Sequence, residues 1–166
     1  MINSIRQTWV AMALCLAALA AHADGAAPKP FVAGSMKQIV AARQGKPFIL
    51  GLWSLACAHC REDISILSRF MKKHPEVEVV LVSTDTPQEN EEIVSTLRRH
   101  SLERAENWVF ADPFTERLRF EIDRKWHGEL PRSYLFGADR NVVAISGKLD
   151  PRRLERWVRV SITRNQ

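Results

Sequence analysis

The chain has 166 residues, 26% of them charged, and a formal net charge of +5 at neutral pH. That length suits one domain around one core behind a short leader. The basic excess is modest and no aromatic-interleaved basic patch accompanies it, so nucleic acid is excluded as a partner.

Residues 1–23 read as a secretory signal peptide. Arg6 supplies a thin positive start, Trp9 to Ala21 is an apolar run of 13 residues, and Ala21-His22-Ala23 fits a small-x-small cleavage site. A membrane span would need about 20 apolar residues. Cys15 follows Leu14 rather than the small residue that lipid attachment wants, and reads as an incidental apolar residue. Cleavage after Ala23 lowers the charge from +5 to +4 and leaves Cys57 and Cys60 as the remaining cysteines. The expected destination is the periplasm, an oxidising compartment.

Residues 24–33, with Pro28 and Pro30, read as an irregular arm before a domain spanning 34–166. Ser35-Met-Lys-Gln38 has the form of a capping box opening a short helix through Ala42. Gln44-Gly45-Lys46-Pro47 turns the chain into an apolar run, Phe48 to Trp53, expected as a buried strand. A short Ser54-Leu55-Ala56 turn then delivers Cys57 and Cys60. Ile64, Leu67, Phe70 and Met71 recur three or four apart and predict a helix over 61–73. It stops where His74 precedes a proline.

Val77 to Val82 predicts a second buried strand. Thr86, Pro87 and Glu89 combine an N-cap, a proline at the first helical position and a capping-box acid. The helix that follows runs to His100 with Ile93, Val94 and Leu97 inward. Trp108 to Phe110 is a short strand, and Asp112-Pro113 starts a further helix with Phe114, Leu118 and Phe120 available for packing. Pro131–Phe136 and Asn141–Ile145 form a hairpin across Gly137 to Arg140. Asp150-Pro151 opens the last helix, whose apolar face is Leu154, Trp157, Val158 and Ile162. Arg152, Arg153, Arg156 and Arg159 are expected in solvent. Strands alternating with helices early and a hairpin late imply a mixed sheet covered on both faces, an α/β sandwich.

The chemistry concentrates at Cys57-Ala-His-Cys60. A strand that ends in C-x-x-C and opens a helix sets the first sulfur at a helix N-terminus, where free N–H groups and the positive end of the dipole favour thiolate. Thiolate is the attacking form in disulfide exchange, and a second cysteine three residues on can resolve the mixed disulfide. As a structural staple the pair would close a loop of about four residues and remove little chain entropy. Cys57, His59 and Cys60 also offer soft ligands suited to Cu(I). Covalent haem is disfavoured, since Arg61 stands where C-x-x-C-H needs His. A peroxide-reducing enzyme and a redox-inactive binding module complete the alternatives.

The element order, the position of C-x-x-C and the proline before the hairpin resemble the thioredoxin fold. Gly45-Lys46-Pro47, Leu52-Trp53, Cys57 to Arg61, Val82-Ser83-Thr84-Asp85, Leu130 to Ser133 and Leu149-Asp150-Pro151 resemble the exported TlpA/ResA-type thiol:disulfide oxidoreductases. The resemblance implies a three-layer sandwich with Cys57 as nucleophile and Cys60 as resolving cysteine. It implies a cis Pro131 facing the pair, with Leu130 contacting the substrate backbone and Trp53 packed beneath the site. Asp63 stands where relatives carry a proton-shuttling Glu. It also reads as a dipole-complementing first-turn acid or an i,i+4 partner of His59. Glu62 reads as a surface acid. The buried Asp of thioredoxin, six before the first cysteine, is Gly51 here.

His59 occupies the place of the His in DsbA's motif, where it stabilises thiolate and makes the disulfide more oxidising. The resemblance thus implies proteins with thiols or disulfides as substrates, a membrane thiol-redox donor and no cofactor beyond the Cys57–Cys60 disulfide. It favours reduction, as in cytochrome c maturation or metal-centre assembly. A DsbA-like oxidase and a Cu(I) chaperone using Cys57, His59 and Cys60 stand as alternatives.

Overall fold

The computed structural model describes residues 27–163. The signal peptide, its cleavage site and Cys15 lie outside the described residues.

Six strands form one mixed sheet: β1 (Lys29–Phe31), β2 (Phe48–Trp53), β3 (Glu78–Ser83), β4 (Glu106–Phe110), β5 (Arg132–Phe136) and β6 (Val142–Ser146). Their order across the sheet is β1-β4-β3-β2-β5-β6. The first four run parallel, while β5 is antiparallel to β2 and β6 to β5. Five α-helices are described: α1 (Ser35–Ala41), α2 (Cys60–Lys73), α3 (Asn90–Arg99, after a 3₁₀ turn at Pro87–Glu89), α4 (Thr115–Ile122) and α5 (Pro151–Thr163).

Alternation along the central strands sorts their side chains to two faces. Ile49, Trp53, Val79 and Leu81 pack with Ile64 and Leu67 of α2, Ile93 and Leu97 of α3, and Leu154 and Val158 of α5. Phe48, Leu50, Leu52, Val80 and Val82 pack with Met36 and Ile39 of α1, Leu118 of α4 and Trp126. Both faces of β2 are therefore covered, and all six of its residues are buried. This is the three-layer α/β sandwich expected from the sequence.

Three local readings need correction. The arm at 24–33 is not irregular throughout, because Lys29 to Phe31 pair in parallel with Trp108 to Phe110 as an edge strand. Ser35 does not cap α1 through a capping box. Its hydroxyl instead accepts the N–H of Val32 at 2.9 Å, and Gly34 holds the helix entry at φ +91°. Of the residues offered for packing from α4, Leu118 is fully buried, but Phe114 and Phe120 are 66% and 55% exposed. The capping box at Thr86 and Glu89 does form, and both hairpin strands start one residue later than expected.

Gly51 sits on the α2 face of β2, where a Cβ would meet Leu81 at 3.1 Å and Leu67 at 3.2 Å. A carboxylate at this position has neither room nor partner. Gly51→Asp is expected to destabilise the domain by about 3 kcal/mol or more, through overpacking and an unpaired buried charge. Urea unfolding of the two proteins measures it, and an unchanged midpoint contradicts it.

Candidate active site

The site grows out of the C-terminal end of β2. Trp53 is buried, and its carbonyl accepts the Thr84 N–H at 2.9 Å from the end of the neighbouring strand. The chain then leaves the sheet through a turn braced from outside itself. The Leu55 N–H donates to Asp85 Oδ2 at 2.9 Å, and the Ser83 hydroxyl donates to the same oxygen at 2.5 Å. The Cys57 N–H closes the turn on the Ser54 carbonyl at 3.2 Å. Asp85 is a residue whose role the sequence conceals, because it acts across 30 positions.

Cys57 and Cys60 are joined as a disulfide with Cα atoms 5.3 Å apart. They are not equivalent. Cys60 is fully buried as the first residue of α2, whereas Cys57 is half-buried at the edge of the same core cluster, between exposed Ala56 and Ala58. An external partner reaches Cys57 and not Cys60. The Cys60 N–H also points at Cys57 Sγ, 3.2 Å away. When the pair is reduced, that donor and the positive helix end both favour a negative sulfur at Cys57.

Beside the pair runs the segment into β5. Arg132 lies opposite Leu52 in the β2–β5 register, which sets Pro131 across from Trp53. The Leu130–Pro131 peptide bond is cis, as the resemblance implies. Pro131 is buried, and its carbonyl accepts the Gly147 N–H at 2.9 Å. Leu130 is half-buried against both core clusters. Behind them Arg132 is fixed by Asp123 at 2.9 Å and Glu129 at 3.2 Å, and the Tyr134 hydroxyl donates to Asp123 at 3.1 Å.

Asp63 lies in the first turn of α2, three residues after Cys60 and therefore on the same side of the helix. It is only 4% exposed. Oδ1 accepts the Leu149 N–H at 3.0 Å, while Oδ2 is buried with no partner. Burial pushes this carboxyl above its ordinary range, with the Leu149 N–H opposing and the neighbouring Glu62 charge adding to the rise. Its bond is thus to the start of α5 rather than to His59, which is exposed as the N-cap residue of α2. Glu62 points outward and pairs with Lys148 at 2.5 Å. Among the described residues no three His, Cys, Asp or Glu side chains gather as a metal site.

The fold has close counterparts among solved structures. A secreted Mycobacterium tuberculosis disulfide oxidoreductase, described as homologous to E. coli DsbE, aligns with a TM-score of 0.60 at 21% identity, over 72% of this chain and 85% of that one. A thiol:disulfide interchange protein of the thioredoxin family from Chlorobium tepidum aligns at 0.58 and 21%, over 73% and 83%. StoA from Bacillus subtilis aligns at 0.50 and 19%, over 69% and 84%. No protein-family model matches the chain, and no curated protein sequence matches it significantly. The chain has the thioredoxin fold.

Two outcomes follow from the site's electrostatics and bracing. Because the folded state raises the Asp63 pKa, it holds that proton more tightly than the unfolded chain does, so the group favours folding at low pH. That contribution is lost as pH rises from the ordinary carboxylate range through the higher folded value. The unfolding free energy of wild type minus Asp63→Asn should therefore fall over this window, and a difference that is flat or rises with pH contradicts the assignment. Asp85→Ala leaves the Leu55 N–H without its acceptor and should cost about 1–3 kcal/mol in urea unfolding. A loss below the error of measurement would mean that the turn is held by other contacts.

Proposed function

We propose that this protein is an exported thiol:disulfide oxidoreductase, similar to the TlpA/ResA-type proteins, that reduces disulfides in other proteins. The observation that carries the reading is the inequality of the cysteines: Cys57 is reachable and accepts the Cys60 N–H, while Cys60 is fully enclosed. An enclosed staple would have no use for that asymmetry, whereas a two-step exchange needs it.

In the first step the Cys57 thiolate attacks one sulfur of a substrate disulfide. A Cys57–substrate bond forms, the substrate S–S bond breaks, and the other substrate sulfur leaves as thiolate. In the second step the Cys60 thiol gives up its proton and attacks Cys57 Sγ. The substrate's second sulfur leaves, and Cys57–Cys60 closes. Two electrons pass from the protein to the substrate, and a membrane-bound dithiol donor must restore them. Asp63 is the base assigned to the resolving thiol. It sits one turn away on the same helix, and burial raises its pKa, which makes its carboxylate a stronger base than an exposed one. Leu130 offers backbone to the bound polypeptide, and Trp53 supports the pair from below. Cytochrome c maturation or metal-centre assembly in the periplasm is the setting that this chemistry fits.

Cys57→Ser should abolish turnover in an insulin-reduction assay, and Cys60→Ser should instead accumulate a covalent protein–substrate adduct released by dithiothreitol. Unchanged turnover in the first variant refutes the proposal. The direction of flow is read from equilibration with glutathione. A potential toward thioredoxin's value of about −270 mV fits a reductant, and one toward DsbA's value of about −120 mV reverses the direction.

A further inference from the structure

We infer that Glu129 and Arg132 are positioning residues for substrate binding: their ion pair clamps the Leu130–Pro131 segment and holds the Leu130 backbone in one orientation for an incoming polypeptide. The inference rests on the exchange reading above and adds the side chains that hold its docking segment.

The main chain is pinned immediately before and after Leu130. The Glu129 carbonyl accepts the indole N–H of Trp126, a core residue 3% exposed, at 2.8 Å. The Pro131 carbonyl accepts the Gly147 N–H at 2.9 Å. Between these two points the N–H and carbonyl of Leu130 make no hydrogen bond to any described residue. A half-buried residue with both backbone groups unpaired is a place where a second extended chain can supply the partners.

Side chains brace the same two ends. Glu129 and Arg132 flank the segment and meet across it, with Nη1 3.2 Å from Oε1. Ser146 of β6 completes a triangle, since its hydroxyl donates to Glu129 Oε1 at 3.1 Å and accepts from Arg132 Nη1. The other Glu129 oxygen accepts the His127 N–H at 3.1 Å. Arg132 Nη2 reaches Asp123, just past α4, at 2.9 Å. Asp123 is held in turn by the Tyr134 hydroxyl at 3.1 Å and the Lys125 N–H at 2.9 Å. The loop that ends at Leu130 is thereby tied at both of its acids to the β5–β6 hairpin.

Stability alone gives little reason for an arginine in this place. A buried ion pair adds little to a fold compared with apolar residues of the same volume, because desolvation offsets most of the attraction. Arg132 is 9% exposed, and its Nε is buried without a partner. What the planar guanidinium does supply is direction, since it meets two carboxylates and a hydroxyl at set angles. The atoms it fixes lie one residue before Leu130 and two residues after it. An error in their placement is passed directly to the backbone that a substrate would read.

The test compares reduction of insulin, whose disulfides lie in polypeptide, with reduction of hydroxyethyl disulfide, which has no backbone to dock. The quantity read is the ratio of kcat/KM on insulin to the rate with the small disulfide, for each protein. Glu129→Ala removes the clamp from its exposed side and leaves the Trp126 bond to the residue 129 carbonyl in place. Its ratio should fall about tenfold, mainly through KM, as a misplaced docking segment requires. Glu129→Gln keeps an oxygen for Arg132 Nη1 and should restore most of the ratio, while Arg132→Lys loses the planar fork and should match Glu129→Ala. The two glutamate variants decide the matter where Arg132→Lys does not fold. A ratio that does not fall in Glu129→Ala, whether both rates hold or both drop together, overturns the clamp. A wild-type protein that reduces neither substrate overturns the exchange reading itself, and the clamp with it.

Discussion

Asp85 accepts the N–H of Leu55, and Ser83 donates to the same carboxylate oxygen, so the end of β3 grips the turn that follows β2. The Trp53 carbonyl is held from the same side by Thr84. These bonds join two parallel strands beyond the point where their ladder ends. They fix where the chain lets go of the sheet, and so where Cys57 comes to lie. A strand buried on both faces cannot shift to accommodate a misplaced turn. The position of the first sulfur is thus set by the sheet, while the position of the second is set by α2 packing on it through Ile64 and Leu67. Rigidity on both sides of a short exposed bridge is what a reactive pair requires if it is to open and close without the fold following it.

The Cys57–Cys60 end of the sequence is legible because its signals are local. Phe48 to Trp53 is an uninterrupted apolar run, Cys57 and Cys60 have a recognised spacing, and the cap at Thr86 to Glu89 carries its whole hydrogen-bond pattern within four residues. Pro131 was legible through its place before a hairpin. What the sequence concealed is non-local. The strand Lys29–Phe31 is three residues long with a proline at its centre, and only the neighbouring Trp108 to Phe110 edge makes it a strand. Ser35 carries a helix-start pattern, but its hydroxyl is diverted to Val32, and a left-handed Gly34 performs the entry. Phe114 and Phe120 read as core by residue type, and no local rule says that α4 turns Leu118 inward and leaves them in solvent. Asp85 and Arg132 gain their meaning only from partners brought by the fold.

Asp63 shows where local and tertiary effects meet. By position alone it is a first-turn acid of the kind that complements a helix dipole. An exposed acid would serve that purpose as well, as Glu62 does beside it while pairing with Lys148. Asp63 is instead enclosed, with one oxygen on the Leu149 N–H and the other on nothing. Leaving a buried carboxylate oxygen unpartnered costs about 1–3 kcal/mol, more when the group is charged. The bond to the Leu149 N–H uses one oxygen only and would be made equally well by an amide side chain of the same length. On the proposed exchange reading the unpartnered oxygen is the one that receives the proton of the resolving thiol.

On the proposed reading the base comes from the helix and not from the strand. Thioredoxin's solution is a buried acid on the central strand, but here that position is Gly51, with Leu81 and Leu67 leaning over it at 3.1 and 3.2 Å from where a Cβ would be. A side chain at this position would press on both leucines, which pack between the sheet and α2. Among the described residues Asp63 is the one buried acid, and it stands on α2, one turn after Cys60, rather than on the sheet. With no side chain at residue 51, Leu67 and Leu81 pack over that point of the strand, and the Leu149 N–H holds Asp63 to the segment that enters α5. On the reading proposed above, the proton path of this protein and the packing of its last helix are one structural element.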